Sequence, residues 1–124
     1  MAELTAEQFL TACDTQQDYE LVKVEVPAAF GGAIYVPTLG SDQLDELEAS
    51  HWVDGKYQSS QYRARTLAFI CRDQAGYRLF GDDAATITKL GKLSARIANR
   101  ILKKHRELNL VIDEAKGDED AKNS

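Results

Sequence analysis

The fold of this chain is decided by the stretch YELVKVEVPAAFGGAIYV, residues 19–36. Its first half alternates apolar and polar side chains, with Val22, Val24 and Val26 on one face, which predicts a half-buried strand over residues 19–26. The glycine pair at positions 31 and 32 permits a turn, and residues 33–36 predict the returning strand. With helical patterns elsewhere, this stretch predicts an α+β fold, mostly α, with one N-terminal antiparallel β-hairpin.

Helical patterns on both sides of the hairpin predict about five helices packed with it. Thr5 and Gln8 have the form of a capping box, which predicts a short first helix carrying Phe9 and Leu10. Ser41 is in a favourable position to cap the second helix. The four later helices are predicted over residues 42–51, 59–72, 82 or 83 to 90, and 93–108.

The apolar run over residues 66–71 leaves one alternative open, because a buried strand would show the same short pattern. A helix is favoured because Arg63-Ala64-Arg65 leads into the run without a break. This helix would direct Arg63, Arg65 and Arg72 towards solvent.

The last predicted helix is the clearest element of the chain. Leu93, Ile97, Ile101 and Leu108 form an apolar stripe at helical spacing, and basic side chains cover the rest of the surface. Beyond it, residues 111–124 are polar and acidic and offer little to bury. We therefore expect residues 1–110 to form a single globular domain and residues 111–124 to form a disordered acidic tail.

Charge is sorted along the chain. Residues 1–56 carry 11 Asp and Glu against 2 Lys and Arg, whereas residues 57–110 carry 11 Lys and Arg against 4 Asp and Glu. Residues 111–124 return to a net charge of −3. A molecule with an acidic front and a basic back can attract copies of itself head to tail, or bind an acidic partner. This distribution predicts a protein that binds and assembles.

The sequence contains no arrangement typical of a catalytic or metal site, so we expect no enzymatic activity, cofactor or metal. The two histidines, His51 and His105, are far apart and are interpreted as helix-surface residues. Cys13 and Cys71 are isolated and are interpreted as reduced thiols of a cytoplasmic protein. No apolar run approaches the roughly 18 residues of a membrane span, and the acidic N-terminus does not have the form of a signal peptide.

The candidate protein contacts are side chains on the hairpin loop and on the charged faces of helices. They are Phe30, Asp45, Glu46, Glu48, Arg63, Arg65, Arg96, Arg100, Lys103 and Lys104. For Phe30 and for Trp52 a core position is favoured over a contact, since aromatic residues dominate both settings. A small nucleic-acid-binding regulator that uses the basic last helix is the alternative, although the pI of about 5.0 weighs against it.

Several segments follow one another in a distinctive order. They are Val24-Glu25-Val26-Pro27, Ile34-Tyr35-Val36, the helix from Arg63 to Phe69, and the turn and "RLF" segment from Asp73 to Phe80. Over about residues 19–110 this series resembles the tail assembly chaperones of long-tailed, siphovirus-type bacteriophages. The resemblance implies a non-enzymatic chaperone that binds and solubilises the tape-measure protein, and that helps to recruit tail-tube protein through a frameshifted longer form.

The resemblance also implies self-association into a ring or spiral in the cytoplasm of the infected bacterial host, and absence from the mature virion. No membrane partner is implied. A ribosomal frameshift requires a slippery run of codons near the end of the reading frame. Ala121-Lys122-Asn123 and Ala115-Lys116-Gly117 could each be encoded by such a run, so we hypothesise that one of them is the slip site.

Overall fold

A computed structural model describes residues 3–16 and 18–110 of the chain. It has an α+β fold in which five helices accompany an antiparallel hairpin, as predicted. In chain order the elements are α1 (Ala6–Thr15), β1 (Leu21–Glu25), β2 (Ala33–Pro37), α2 (Ser41–Ala49), β3 (Trp52–Val53), β4 (Lys56–Tyr57), α3 (Tyr62–Ile70), α4 (Ala84–Leu90) and α5 (Ala95–Asn109).

Strands β1 and β2 form the predicted hairpin, with Val24 of β1 opposite Ile34 of β2. Both side chains are buried, whereas Lys23 and Glu25, which flank Val24 in β1, are exposed. This confirms the alternating pattern. The connection contains one 3-10 turn and then two glycines with φ angles of 110° and 93°. Residues with a side chain rarely adopt such angles, so the glycine pair permits the chain to reverse here.

The outer edge of β2 carries a further extended segment that the sequence analysis did not place there. Arg72 and Tyr35 exchange two backbone hydrogen bonds across this edge, at 2.8 and 3.0 Å. The predicted helix end at Arg72 is therefore wrong, because α3 ends at Ile70. The predicted exposure of Arg72 is also wrong, since its guanidinium folds back to donate to the carbonyls of Phe69 and Gly76.

Polar caps fix where most of the helices begin. The Thr5 capping box is present in full, with the Thr5 hydroxyl accepting from the Gln8 N–H at 3.1 Å and the reciprocal bond at 3.1 Å. Asp83 caps α4 and Ser94 caps α5, so α5 begins two residues later than predicted. The N-cap of α2 is Gly40 instead of the predicted serine that follows it. The alternative of a strand over residues 66–71 is wrong.

A second, very short hairpin, β3–β4, was not predicted. Its turn consists of Asp54 and Gly55, with φ angles of 52° and 77°, and an Asp-Gly pair is typical of a two-residue hairpin turn. Trp52 lies on this hairpin with 52% of its surface exposed and packs edge-on against Tyr57. The favoured core position for Trp52 is therefore wrong.

The core lies where the hairpin, α3 and α5 meet. Its members are buried apolar side chains from these elements and from α2, with Leu67 and Ile70 of α3 among the most deeply enclosed. Full burial of one such side chain contributes about 1.5–3 kcal/mol. Ile97, Ile101 and Leu102 of α5 belong to this core, which confirms the predicted stripe, and Leu108 packs against it.

Both histidines are buried, so their interpretation as helix-surface residues is wrong. His51 is 1% exposed, stacks on Tyr62 with ring centroids 4.6 Å apart, and has its Nε2 atom 3.3 Å from the Thr66 hydroxyl. His105 is 3% exposed, and its Nδ1 atom accepts from the Asn109 amide at 3.1 Å. Burial lowers the pKa of both rings, that of His105 to about 4.

The predicted acidic tail and both hypothetical slip sites concern residues 111–124, which lie outside the described residues. The boundary between a globular part and a tail at residue 110 stays a prediction.

Candidate protein-binding groove

An open groove of about 300 Å³ lies where the loop end of the β1–β2 hairpin meets α3, α4 and α5. Its walls are almost wholly apolar, and we call it the apolar groove. It is lined by Val26, Phe30, Ile34, Leu67, Cys71, Phe80, Leu90, Leu93, Ile97 and Ile101.

Each wall of the apolar groove follows from local sequence. The alternation along the hairpin turns Val26 and Ile34 towards the helices, and the helical stripe of α5 presents Ile97 and Ile101. Leu93 precedes α5 in the short connection from α4 and is only partly buried. The groove is thus the part of the core that the hairpin and the α4–α5 connection leave uncovered.

Phe30 stands at the lip of the groove. It ends the 3-10 turn of the hairpin connection and is 59% exposed although it lines the apolar wall, so the favoured core position is wrong. A large exposed aromatic side chain beside an apolar hollow is a typical anchor for a protein partner.

The chemistry of the groove favours apolar side chains over a metabolite. Small-molecule sites combine apolar walls with a few convergent polar groups that orient the ligand. The one sulfur group here, the Cys71 thiol, is buried, and burial raises its pKa to about 12, so it is protonated at neutral pH. It is therefore not the thiolate that nucleophilic catalysis requires.

The segment over residues 89–100, which supplies Leu90, Leu93 and Ile97 to the groove walls, is basic, and we call it the basic rim. Residues 89–100 carry four Lys and Arg and no Asp or Glu: Lys89, Lys92, Arg96 and Arg100. All four are exposed. The Arg100 guanidinium reaches across to the hairpin and donates to the Glu25 carbonyl at 3.0 Å, which fixes one end of this rim.

The predicted contact residues on α5 divide between two neighbouring surfaces. Arg96 and Arg100 belong to the basic rim over residues 89–100, whereas Lys103 and Lys104 line a shallow polar hollow together with Lys23 and Arg100. Lys104 forms an ion pair with Glu107 at 3.0 Å. The basic set is therefore continuous along the helix, with Arg100 belonging to both surfaces.

The remaining predicted contacts do not join the groove. Arg63 donates to the Asn99 side chain at 3.1 Å and links α3 to α5, and Arg65 donates to the Ser50 carbonyl at 3.2 Å. These bonds give both arginines a role in packing. The acidic trio of α2, Asp45, Glu46 and Glu48, is exposed on a separate face.

The groove was not predicted from the sequence, because its wall residues have the pattern of core residues. Phe80 was noted only as part of a segment order, Leu90 only as the end of a predicted helix, and Leu93 as part of a helical stripe. The available signal was the position of Leu93 in the short connection between α4 and α5, and of Phe80 in the segment between α3 and α4, because side chains in connecting segments are less often fully buried. Phe30 is the one predicted contact that lines the apolar wall.

Residues 3–16 and 18–110 contain no group of three or more His, Cys, Asp or Glu side chains that could hold a metal ion. Within the same part of the chain, no helix combines enough length with enough apolar character to cross a bilayer.

The sequence matches no known protein family and no curated protein. Its fold is similar to the solved structure of the bacteriophage HK97 tail assembly chaperone, with a TM-score of 0.51 and 12% sequence identity. The similarity covers 82% of this chain and 97% of that chain. At this identity the similarity concerns the fold, and it extends over nearly the whole of the phage protein.

Proposed function

We propose that this protein is a tail assembly chaperone of a long-tailed bacteriophage, which binds the tape-measure protein through the apolar groove and keeps it soluble. The proposal is supported by a fold similar to almost the full length of the HK97 chaperone. It agrees with the order of segments from residue 19 to residue 110 described above.

The observation that carries the proposal is the apolar groove itself. Amphipathic helices bind other proteins by placing one apolar face in a hydrophobic groove, with anchors one helical turn apart. The groove offers walls from Leu67, Ile97 and Ile101 and an exposed aromatic lip at Phe30. A long, helical client would present many such faces, and each copy of the chaperone would cover one of them.

The charged surroundings suit a complex that must later be taken apart. Exposed ion pairs contribute about 0–1 kcal/mol each and are screened by salt. The basic rim beside the groove would therefore guide an acidic client face without fixing it permanently. This is the property required of a coat that tail-tube subunits displace during assembly.

We further propose that the protein acts without catalysis, in the cytoplasm of the infected host, and is absent from the mature virion. The titratable groups most suited to catalysis are the neutral buried rings of His51 and His105 and the protonated thiol of Cys71. Mass spectrometry of purified virions tests the last statement, and a stoichiometric amount of this chain in them would contradict it.

Recruitment of tail-tube protein would require a longer, frameshifted form of the chain. The codons for residues 115–117 and 121–123 test this part of the proposal directly. A slippery run at either position would support it, and codons that interrupt both runs would contradict the proposed slip sites.

The main experiment is co-expression of the full chain with the tape-measure protein of the same phage. We expect the chain to raise the soluble fraction of the tape-measure protein and to co-purify with it. Phe30→Asp places a charge on the groove lip and should remove both effects. Tyr77→Asp is the matched control, because Tyr77 is 74% exposed and lies outside the groove.

Two results would contradict the proposal. One is a tape-measure protein that stays insoluble beside the unaltered chain. The other is a Phe30→Asp variant that rescues it as well as Tyr77→Asp does, which would show that the groove is not the binding surface.

A further inference from the structure

Helix α1 is amphipathic but buries none of its residues. Ala6, Phe9, Leu10 and Cys13 recur at the spacing of one helical face, and Leu4 precedes the Thr5 cap. All described residues from 3 to 16 are exposed, with Leu10 at 63%. An apolar stripe of this kind normally packs against another element, but none of residues 3–16 and 18–110 covers the stripe of α1.

The same chain contains a surface that is chemically suited to bind the apolar face of α1. The apolar groove is open to solvent at Phe30, and its walls consist of apolar side chains. Its volume of about 300 Å³ is not filled by any of the residues that the structure describes. The described part of one molecule therefore contains both an exposed amphipathic helix and an open apolar groove.

Charge complements this match. Residues 3–18 contain four acidic residues and no Lys or Arg: Glu3, Glu7, Asp14 and Asp18. The groove rim over residues 89–100 contains four basic residues and no acidic one. Since opposite charges favour encounter and correct orientation, the acidic helix suits the basic rim better than any basic helix would.

The positions of the two surfaces favour contact between copies. The chain from α1 joins the hairpin at Leu21, which pairs with Pro37 at the end away from the loop. The groove lies at the opposite end, at Val26 and Phe30. Five residues of strand separate the two ends of the hairpin by about 17 Å, and this distance is greater than the length of α1, about 15 Å.

We propose that α1 of one copy docks in the apolar groove of a second copy, with its Phe9 and Leu10 face against the groove walls. The contact is heterologous, because a different surface is used on each partner, so it continues from copy to copy into a ring or a spiral. The groove is also the surface assigned above to the tape-measure protein. Competition between the two occupants rests on that proposed function, whereas the docking of α1 does not.

The first experiment measures the mass of the full chain by light scattering over a range of protein concentrations. The unaltered chain should form species larger than a dimer that grow with concentration. Leu10→Asp should raise the dissociation constant of self-association at least about tenfold, because it places a carboxylate on the apolar face. Thr11→Asp is the matched control, since it adds the same charge on the polar face of α1.

The second experiment mixes two variants that are each expected to be monomeric. Leu10→Asp has an intact groove and a damaged helix, whereas Phe30→Asp has an intact helix and a damaged groove. An equal mixture should form a one-to-one heterodimer and nothing larger, because only one productive contact remains. Tyr77→Asp replaces Phe30→Asp in the control mixture and should leave longer assemblies possible.

Three outcomes would overturn the proposal. They are a strictly monomeric unaltered chain, a Leu10→Asp variant that assembles as the unaltered chain does, and a mixture of the two variants that stays monomeric. Failure here is distinguishable from failure of the proposed function. Leu10→Asp keeps its groove and should still solubilise the tape-measure protein in the co-expression experiment, whether or not it self-associates.

Discussion

Replacing His105 with Gln is expected to remove a large part of the acid sensitivity of this fold. His105 is buried on α5, and burial together with the nearby Arg106 lowers its pKa from 6.5 to about 4. Its Nδ1 atom accepts a hydrogen bond from the Asn109 amide, which only a ring without a proton at Nδ1 can do. Gln can still accept that bond with its side-chain oxygen, but it cannot titrate.

The direction of the effect follows from proton counting. Well above pH 6.5 the ring is neutral in both states and contributes no pH dependence. Between 6.5 and about 4 the unfolded chain binds a proton that the folded chain excludes, so the free energy of unfolding falls as the pH falls. Below the folded pKa the loss is complete.

The size of the effect follows from the same shift. Each unit of pKa shift corresponds to about 1.4 kcal/mol. The interval ends at about pH 4.5, above the folded pKa of about 4, so part of the full product is not yet lost, which leaves an expected loss of about 2 kcal/mol between neutral pH and about pH 4.5. A loss of this size is a sizeable fraction of the stability of a small domain, about 5–15 kcal/mol.

Urea unfolding of both proteins at neutral pH and at about pH 4.5 measures this difference. The unaltered chain should lose about 2 kcal/mol more than His105→Gln over this interval. Carboxylates and His51 are common to both proteins, so their contributions cancel. Equal losses in the two proteins would refute the reasoning, as would an NMR titration that places the His105 pKa near 6.5.

Three further predictions concern α5. Ile101→Asp should leave the chain largely unfolded by circular dichroism, because it places an unpaired charge at a position only 3% exposed, and a folded variant would contradict the packing of this helix. Asn109→Ala should lower the free energy of unfolding in urea by about 1–3 kcal/mol, since the Pro37 carbonyl and the Leu39 N–H at the end of β2 lose their partner. Reversing the charges of Arg100 and Lys103 together should weaken self-association while the circular dichroism spectrum stays unchanged. An unaltered oligomer mass would count against the contribution of charge.

The hairpin and the helices could be predicted because their patterns are local. The alternation from Val22 to Val26 and the Thr5 capping box each require only neighbouring residues, and both are present as predicted. The extended segment at Arg72 could not be predicted in this way. Its backbone bonds to Tyr35 join residues far apart in sequence, and a periodic pattern within one segment carries no information about such a partner.

The histidines show how a usable signal was overlooked. His105 lies four residues after Ile101, on the same face of α5, so its burial was visible in the helical spacing. The interpretation as a surface residue followed polarity instead of position. Phe30 shows the reverse case, because its apolar character suggested a core position, whereas its place in a short loop leaves it exposed.

No strand among residues 3–16 and 18–110 pairs with the outer edge of β1, which has a consequence for a protein that associates with itself. An unpaired strand edge can add strands from other chains without limit, which leads to irreversible fibres. Here the strand is only five residues long, carries exposed Lys23 and Glu25, and is followed by Pro27, which has no N–H to donate. Arg100 already occupies the Glu25 carbonyl. These features oppose amyloid-like growth along the sheet and leave association to surfaces that can release their partners.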